Sequence, residues 1–346
     1  MTRSLAALAL LVFAACSDGT NTVPVRAAPA SRHAELESAL ALEAHAYAFD
    51  AGDWLEDAGE APFFGLGFLA RRAQAGAADT DERARRDAAV VRAETLLAGD
   101  ANAESVMAAL GIVEYVSASG DRRPVPVLDA FLDRVDAQLA AVGNYLPDTT
   151  PGADVYGPTV LTAAIALLEA QAALYLNETQ RVARVRAIDS AIVAAALGDL
   201  VDVTTGTSVR AYAFGPDRAE IHALPNAAML ILKSRLFRLT KDEAYRLESR
   251  AVYSALEDAR DATALASAGY KALALLLMFE ITGEQPFVDK ADDVVDGIAR
   301  LRGDYCTPAP ARCASGLVDA TTFDSGANFE ALYVIGYRRM LAGERY

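Results

Sequence analysis

The chain has 346 residues, 53% hydrophobic and 23% charged, which excludes a disordered polymer and suffices for one large domain or two smaller ones. Alanine, leucine and arginine dominate, β-branched runs at strand spacing are scarce, and only four of the 32 basic residues are lysine: Lys233, Lys241, Lys271 and Lys290. With a formal charge of −15 and basic residues scattered over helix faces, no phosphate-tracking surface is expected, and nucleic acid is not an expected partner.

The N-terminal stretch MTRSLAALALLVFAAC carries one arginine, an apolar run from Leu5 to Phe13, two alanines and Cys16. The run is shorter than the roughly 20 apolar residues that span a bilayer, so it reads as the core of an export signal. Phe13-Ala14-Ala15-Cys16 resembles a bacterial lipoprotein signal, with Cys16 as the lipid acceptor; an ordinary secretory signal is the alternative. The sequence therefore predicts a signal peptide at 1–15, a lipidated Cys16 with a flexible tether to His33 (16–33), and a single domain at 34–346. It predicts a lipid-anchored protein of the bacterial cell envelope, periplasmic or outer-membrane, that touches the membrane through its anchor alone. Cys306 and Cys313, in DYCTPAPARC, form an even pair in an exported chain and predict a disulfide. A zinc site lacks further Cys or His nearby, and no metal is expected.

Apolar residues recur at helical spacing from 34 onward. The pattern predicts twelve helices, near 34–50, 62–75, 81–98, 103–118, 124–142, 157–176, 178–197, 221–239, 242–260, 267–281, 286–301 and 325–342. A weak repeat links them: YVSASGDRRP (Tyr115–Pro124), LFRLTKDEAY (Leu236–Tyr245) and MFEITGEQPF (Met278–Phe287) each end an apolar helix, turn, and begin another. Thr240 and Thr282 are expected to cap the second helix, and Asn177 in LYLNET fits the same place.

Helical hairpins of about 40 residues build either an open tetratricopeptide-like superhelix or a closed ring. Variable hairpin length and irregular connections favour the ring. So do the ends of the pattern: helix 34–50 lacks a preceding partner and helix 325–342 lacks a following one, so they complete a sixth hairpin together. On these helix-turn phrases and this architecture the chain resembles the (α/α)6 toroid of the six-hairpin glycosidase and N-acylglucosamine 2-epimerase superfamily, over about 34–346. The resemblance implies an all-α toroid acting on carbohydrate.

Loop lengths sort by position. Connections within hairpins are short, while those between hairpins are often long: Ala51–Ala61, Gly143–Tyr156, Asp199–Glu220 and Gly303–Asp324. In a toroid the long loops form a rim at the N-terminal ends of the inner helices, and such loops usually carry function. The first rim holds Asp53, Trp54, Glu56 and Asp57; the indole of Trp54, the only tryptophan, suits stacking on a sugar or filling the loop's own core. The next holds Tyr145, Asp148, Asp154 and Tyr156. In the third, VRAYAF alternates as a short strand, with Arg210 and Tyr212 on one face, and Glu220 and His222 precede an inner helix as an acid–base candidate pair or as a helix-end structural pair. Tyr270 lies near the start of the fifth inner helix. The last rim holds Asp304, Tyr305, Asp319, Thr321, Asp324, Asn328 and Glu330, partly explained by capping at Asp324 and Ser325.

The candidate catalytic residues are Asp154, Glu220, His222 and Asp324. The candidate substrate-binding residues are Trp54, Tyr156, Arg210, Tyr212, Tyr270 and Asn328. Paired carboxylates across the mouth suit glycoside hydrolysis at separations of about 5–10 Å. No Walker A, GxGxxG, HExxH or GxSxG motif occurs, and no cofactor is expected. The mannanase subgroup has adjacent aspartates in a loop; Asp292-Asp293 lie inside a predicted outer helix and do not take that role. The epimerases use several inner-helix histidines, and this chain has three histidines in all. Three functional readings stand: a glycoside hydrolase-like lipoprotein, a non-catalytic glycan- or protein-binding envelope lipoprotein, and an open helical scaffold.

Overall fold

A computed structural model describes residues 27–33, 61–147 (except 77, 79 and 100), 150, 153–201, 206, 208–216, 221–257, 265–300, 302–308, 311–319, 322–323 and 325–344; at 61–62, 81, 153–156, 201, 265–266 and 302–330 it describes the backbone alone.

Three of the short turns share one local geometry. The helix runs to a hydroxyl residue, Ser119, Thr240 or Thr282, whose Oγ donates to the carbonyl four residues back at 2.7–2.8 Å. The next residue, Gly120, Lys241 or Gly283, is left-handed with φ 71°, 58° or 72°, which stops the helix. The same hydroxyl then accepts the N–H of Asp121, Asp242 or Glu284 at 3.1–3.2 Å. Thr240 and Thr282 thus end the first helix of their hairpins, contrary to the expectation that they cap the second. The cap passes to the acid: Asp242 Oδ1 accepts from Ala244 N at 3.0 Å. Asn177 takes the left-handed position of its turn, φ 63°, in place of the expected cap.

Eleven α-helices follow among the described residues: α1 (Ala61–Gln74), α2 (Thr80–Ala98), α3 (Ala103–Ser119), α4 (Val125–Ala141), α5 (Ala153–Tyr175), α6 (Val182–Ala196), α7 (Ala223–Thr240), α8 (Glu243–Glu257), α9 (Leu265–Thr282), α10 (Gln285–Ala299) and α11 (Ser325–Leu341). The odd-numbered helices form the inner wall. Each packs on the next, from α1 through α3, α5, α7 and α9 to α11, and α11 packs back on α1. The architecture is a closed (α/α)6 toroid, and the open tetratricopeptide-like scaffold is excluded by the α11–α1 contact. Gly67 permits that closure: a Cβ there would lie 2.8 Å from the Tyr333 ring. A helix walled in on all sides must be apolar all round. Gly157–Tyr175 of α5 is apolar and long enough to cross a membrane by composition, yet it is almost wholly buried in the ring.

The even-numbered helices lie outside and are amphipathic; α10 buries Phe287, Val288, Ala291, Val295 and Ile298 at helical spacing. The predicted helix 34–50 lies outside the described residues. Residues 27–33, within the stretch read as a tether, lie against the end of the chain: Ala28 N donates to Leu341 O at 2.9 Å, and Ala28 and His33 are buried.

Two rims contain strands. The alternating VRAYAF yields β2 (Ser208–Tyr212), antiparallel to β1 (Leu197–Val201), with Asp199 opposite Arg210. In the last rim, which the sequence leaves as a loop, β3 (Arg302–Pro308), β4 (Ala311–Asp319) and β5 (Thr322–Phe323) form a three-stranded meander. Its register sets Cys306 opposite Cys313.

Candidate functional site

The described parts of the long connections before α5, α7 and α11 lie at the end of the ring where those inner helices begin. The second and third rims are fastened there by the start of α5. Gly157 has φ 75°, and a Cβ on it would meet Phe214 Cδ1 at 2.7 Å and Phe214 O at 2.8 Å. Thr159 N donates to that same Phe214 carbonyl at 3.1 Å. Tyr145 OH bonds Thr159 Oγ1 at 2.8 Å, and Leu146 N donates to Thr162 Oγ1 at 3.1 Å. The β-hairpin is held by Asn226, which is fully buried in the first turn of α7. Its Oδ1 accepts from Tyr212 N at 3.0 Å, and its Nδ2 donates to Tyr212 O at 3.1 Å and His222 O at 2.7 Å. One amide thus stands in for a neighbouring strand at the end of β2.

The expected site residues separate into groups. His222 is the residue just before α7, in extended conformation, half-buried, with its ring 4.7 Å from that of Phe214. Asp154 and Tyr156 lie in the short helical turn that precedes the break of α5 at Gly157, and Asn328 lies in the first turn of α11, each described by backbone alone. Trp54, Glu220 and Asp324 lie outside the described residues, as does Cys16. Arg210 and Tyr212 do not act together. Arg210 is exposed and faces Asp199 of the neighbouring strand at 3.6 Å, whereas Tyr212 is buried beneath the hairpin, where burial raises its hydroxyl pKa. Tyr270 is also buried, with its hydroxyl 3.8 Å from Met107 Sδ on the opposite inner helix. Tyr212 and Tyr270 are therefore core side chains: Tyr212 closes the inner side of β2, and Tyr270 projects into a bore that apolar groups fill.

That bore has two layers. Near the loop end Phe64 meets Tyr270 edge-on at 5.2 Å and Tyr333 at 5.4 Å, Phe63 lies 5.6 Å from Tyr333, and Tyr270 reaches across to Met107. Toward the short-turn end every inner helix supplies a polar group from its last two turns. Arg71 of α1 bonds Glu114 of α3 through Nε at 3.1 Å and again through Nη2. Gln171 of α5 donates to Glu114 Oε1 at 3.4 Å. Glu280 of α9 holds Arg238 of α7 at 2.6 Å, accepts from Tyr337 of α11 at 2.7 Å, and lies 3.5 Å from Arg235 Nη1. Arg71 sits 5.8 Å over the rings of both Tyr333 and Tyr337. The convergence of six C-terminal halves at one end and of several N-terminal halves at the other fixes the inner helices as parallel.

Neither a family model nor a curated protein matches the sequence. Solved structures do match by shape. An unsaturated glucuronyl hydrolase specific for heparin aligns over 90% of this chain and 98% of its own, with TM-score 0.58 and 10% identity. A protein of Listeria innocua aligns over 81% and 85%, with TM-score 0.54 and 11% identity. A GH76 alpha-mannanase of Bacteroides thetaiotaomicron aligns over 84% and 86%, with TM-score 0.50 and 12% identity. The fold is that of the six-hairpin glycosidases.

Within this six-hairpin toroid, sequence reasoning missed the ionic layer altogether. Its signal was present: four of the six inner helices carry a charged residue near the C-terminal end of an otherwise apolar face, α5 carries Gln171 and α11 carries Tyr337. Burial pushes the Glu280 carboxyl up, but Arg238, Arg235 and the Tyr337 hydroxyl outweigh it and hold it below the ordinary value. Burial raises the Tyr333 and Tyr337 hydroxyls, so both stay protonated. The layer is thus a fixed set of charges, with Glu280 as carboxylate. A separate carboxyl, Glu169 on α5, is pushed up to about 7 by burial, with Arg181 at 3.0 Å opposing.

Proposed function

We propose that the chain acts on carbohydrate at the loop end of the toroid, in the manner of a glycoside hydrolase. The observation that carries this reading is the joint placement, in a glycosidase-type fold, of Asp154 in the short helical turn just before the Gly157 break of α5 and of His222 just before α7, while α11 begins at Ser325, directly after Asp324. Glycoside cleavage needs one carboxylic acid to protonate the leaving oxygen and one carboxylate to activate water or attack the sugar. Asp154 and Asp324 are assigned those two functions, with Glu220 and His222 as the neighbouring acid–base pair. Trp54, Tyr156, Arg210 and Asn328 are assigned to hydroxyl and ring contacts. The test is reducing-end release across a panel of bacterial and plant oligosaccharides. Wild type should turn over at least one class, and Asp154→Asn, Glu220→Gln and Asp324→Asn should each lower the rate by at least 100-fold. A panel with no turnover and no binding overturns the reading.

A second reading, a non-catalytic binder of glycan or envelope protein, is favoured by the filled bore: Phe64, Met107 and Tyr270 close the axis below the rim. Under it, wild type binds a panel member without turnover.

In both readings Cys16 carries lipid and the protein is held at the bacterial cell envelope. Cys306 and Cys313 are assigned to one disulfide in the last rim; their opposed places in an antiparallel pair lie within the Cα separation that a disulfide needs.

A further inference from the structure

The segment 27–33 has a direction. Ala28 N bonds the carbonyl of Leu341, the last residue of α11, at 2.9 Å. Arg338, buried one turn earlier, bridges Pro29 O at 2.7 Å and Asp292 of α10 at 3.0 and 3.2 Å. His33 Nε2 lies 2.8 Å from Asp296, and Arg32 pairs with Asp293 at 3.2 Å and with Asp296. α11 ends at the short-turn end of the toroid and α10 begins there. The chain therefore reaches the domain at exposed Ala27, beside the short-turn end, and climbs along α10 toward the loop end.

We propose that this strap orients the toroid on a lipid surface, with the short-turn end toward the bilayer and the loop end away from it. The proposal rests on the reading of Cys16 as the lipid-bearing residue. Eleven residues lead from Cys16 to Ala27. Such a chain spans about 36–40 Å when fully drawn out, and about 17–20 Å on average when flexible. Inner helices of 17–18 residues are about 26 Å long. Turning the loop end to the bilayer would draw the tether over the height of the domain, beyond the average span of a flexible chain of that length.

The experiment uses the full lipidated chain, carrying a fluorescent amino acid at exposed Lys241 or at exposed Ser208 of the rim hairpin. Vesicles of phosphatidylethanolamine and phosphatidylglycerol carry an acceptor dye on the headgroup. Energy transfer at position 241 should exceed that at 208 at least threefold, and His33→Ala with Asp296→Asn should bring the ratio toward one. An equal or reversed ratio in lipidated wild type overturns the orientation, and a ratio unmoved by the strap variant overturns the strap's part in it. Mass analysis showing no lipid on Cys16 overturns the anchor reading itself, and so separates the two failures.

Discussion

At the loop end of the bore Phe63, Phe64, Met107 and Tyr270 meet as an apolar layer; at the short-turn end Arg71, Glu114, Gln171, Arg235, Arg238 and Glu280 meet around Tyr333 and Tyr337. The two layers belong to the same six helices and are equally enclosed, yet they answer to different physics. An apolar layer depends on volume and accepts side chains that keep it. An ionic layer depends on pairing, and losing one partner leaves a buried charge with nothing to balance it. The end that carries the variable loops thus rests on the more forgiving floor, while the opposite end ties all six helices together.

The contrast can be broken by shape-preserving changes. Glu280→Gln keeps the side chain's outline but removes the charge facing Arg235 and Arg238, and should cost about 3–5 kcal/mol in urea unfolding. Glu169, outside the bore, gives a pH signature. The folded protein holds its proton to about 7, whereas in the unfolded chain the carboxyl loses it near the ordinary 4.5. Its contribution is complete below about 4.5 and is lost as pH rises through about 7, so stability should fall by about 3 kcal/mol over that window. Glu169→Gln, neutral throughout, should flatten the profile; an unchanged slope would refute the assignment. Asn226→Ala strips partners from the buried backbone groups of Tyr212 and should cost about 2 kcal/mol, with the loss of exchange protection confined first to the β1–β2 hairpin. Met107→Leu, an equal-volume change in the apolar layer, should cost less than about 1.5 kcal/mol. A Met107→Leu penalty matching that of Glu280→Gln would erase the distinction between the two ends.

Helix positions were legible because the 3.6-residue period survives in an alanine- and leucine-rich chain, and the ring was legible from hairpins of variable length and irregular connection; the expected pairing of helix 34–50 with α11 lies outside the described residues. Two details were not. A hydroxyl residue before an acid reads the same whether it ends one helix or begins the next, and only the left-handed backbone at Lys241 and Gly283 decides between them. The ionic layer was hidden for another reason. Arg71, Glu114 and Glu280 each look like a solvated position on a single helix, and their pairing arises between helices 43 to 57 residues apart in the chain. The rim strand at VRAYAF showed its alternation, but the prolines of DYCTPAPARC masked β3 and β4. Of the candidate site, the helix starts were readable, whereas the burial of Tyr212 and Tyr270 depends on a bore that no local pattern reports.

The central claim is that the loop end works on carbohydrate while the ionic layer holds the ring. Measuring reducing-end release and thermal unfolding side by side for Asp154→Asn and Glu114→Gln tests it most directly. Asp154→Asn should melt like wild type and lose at least 100-fold in rate; Glu114→Gln should melt several degrees lower and keep the wild-type rate per folded molecule. The opposite pattern, a stable Glu114→Gln without activity beside an active Asp154→Asn, would contradict the account.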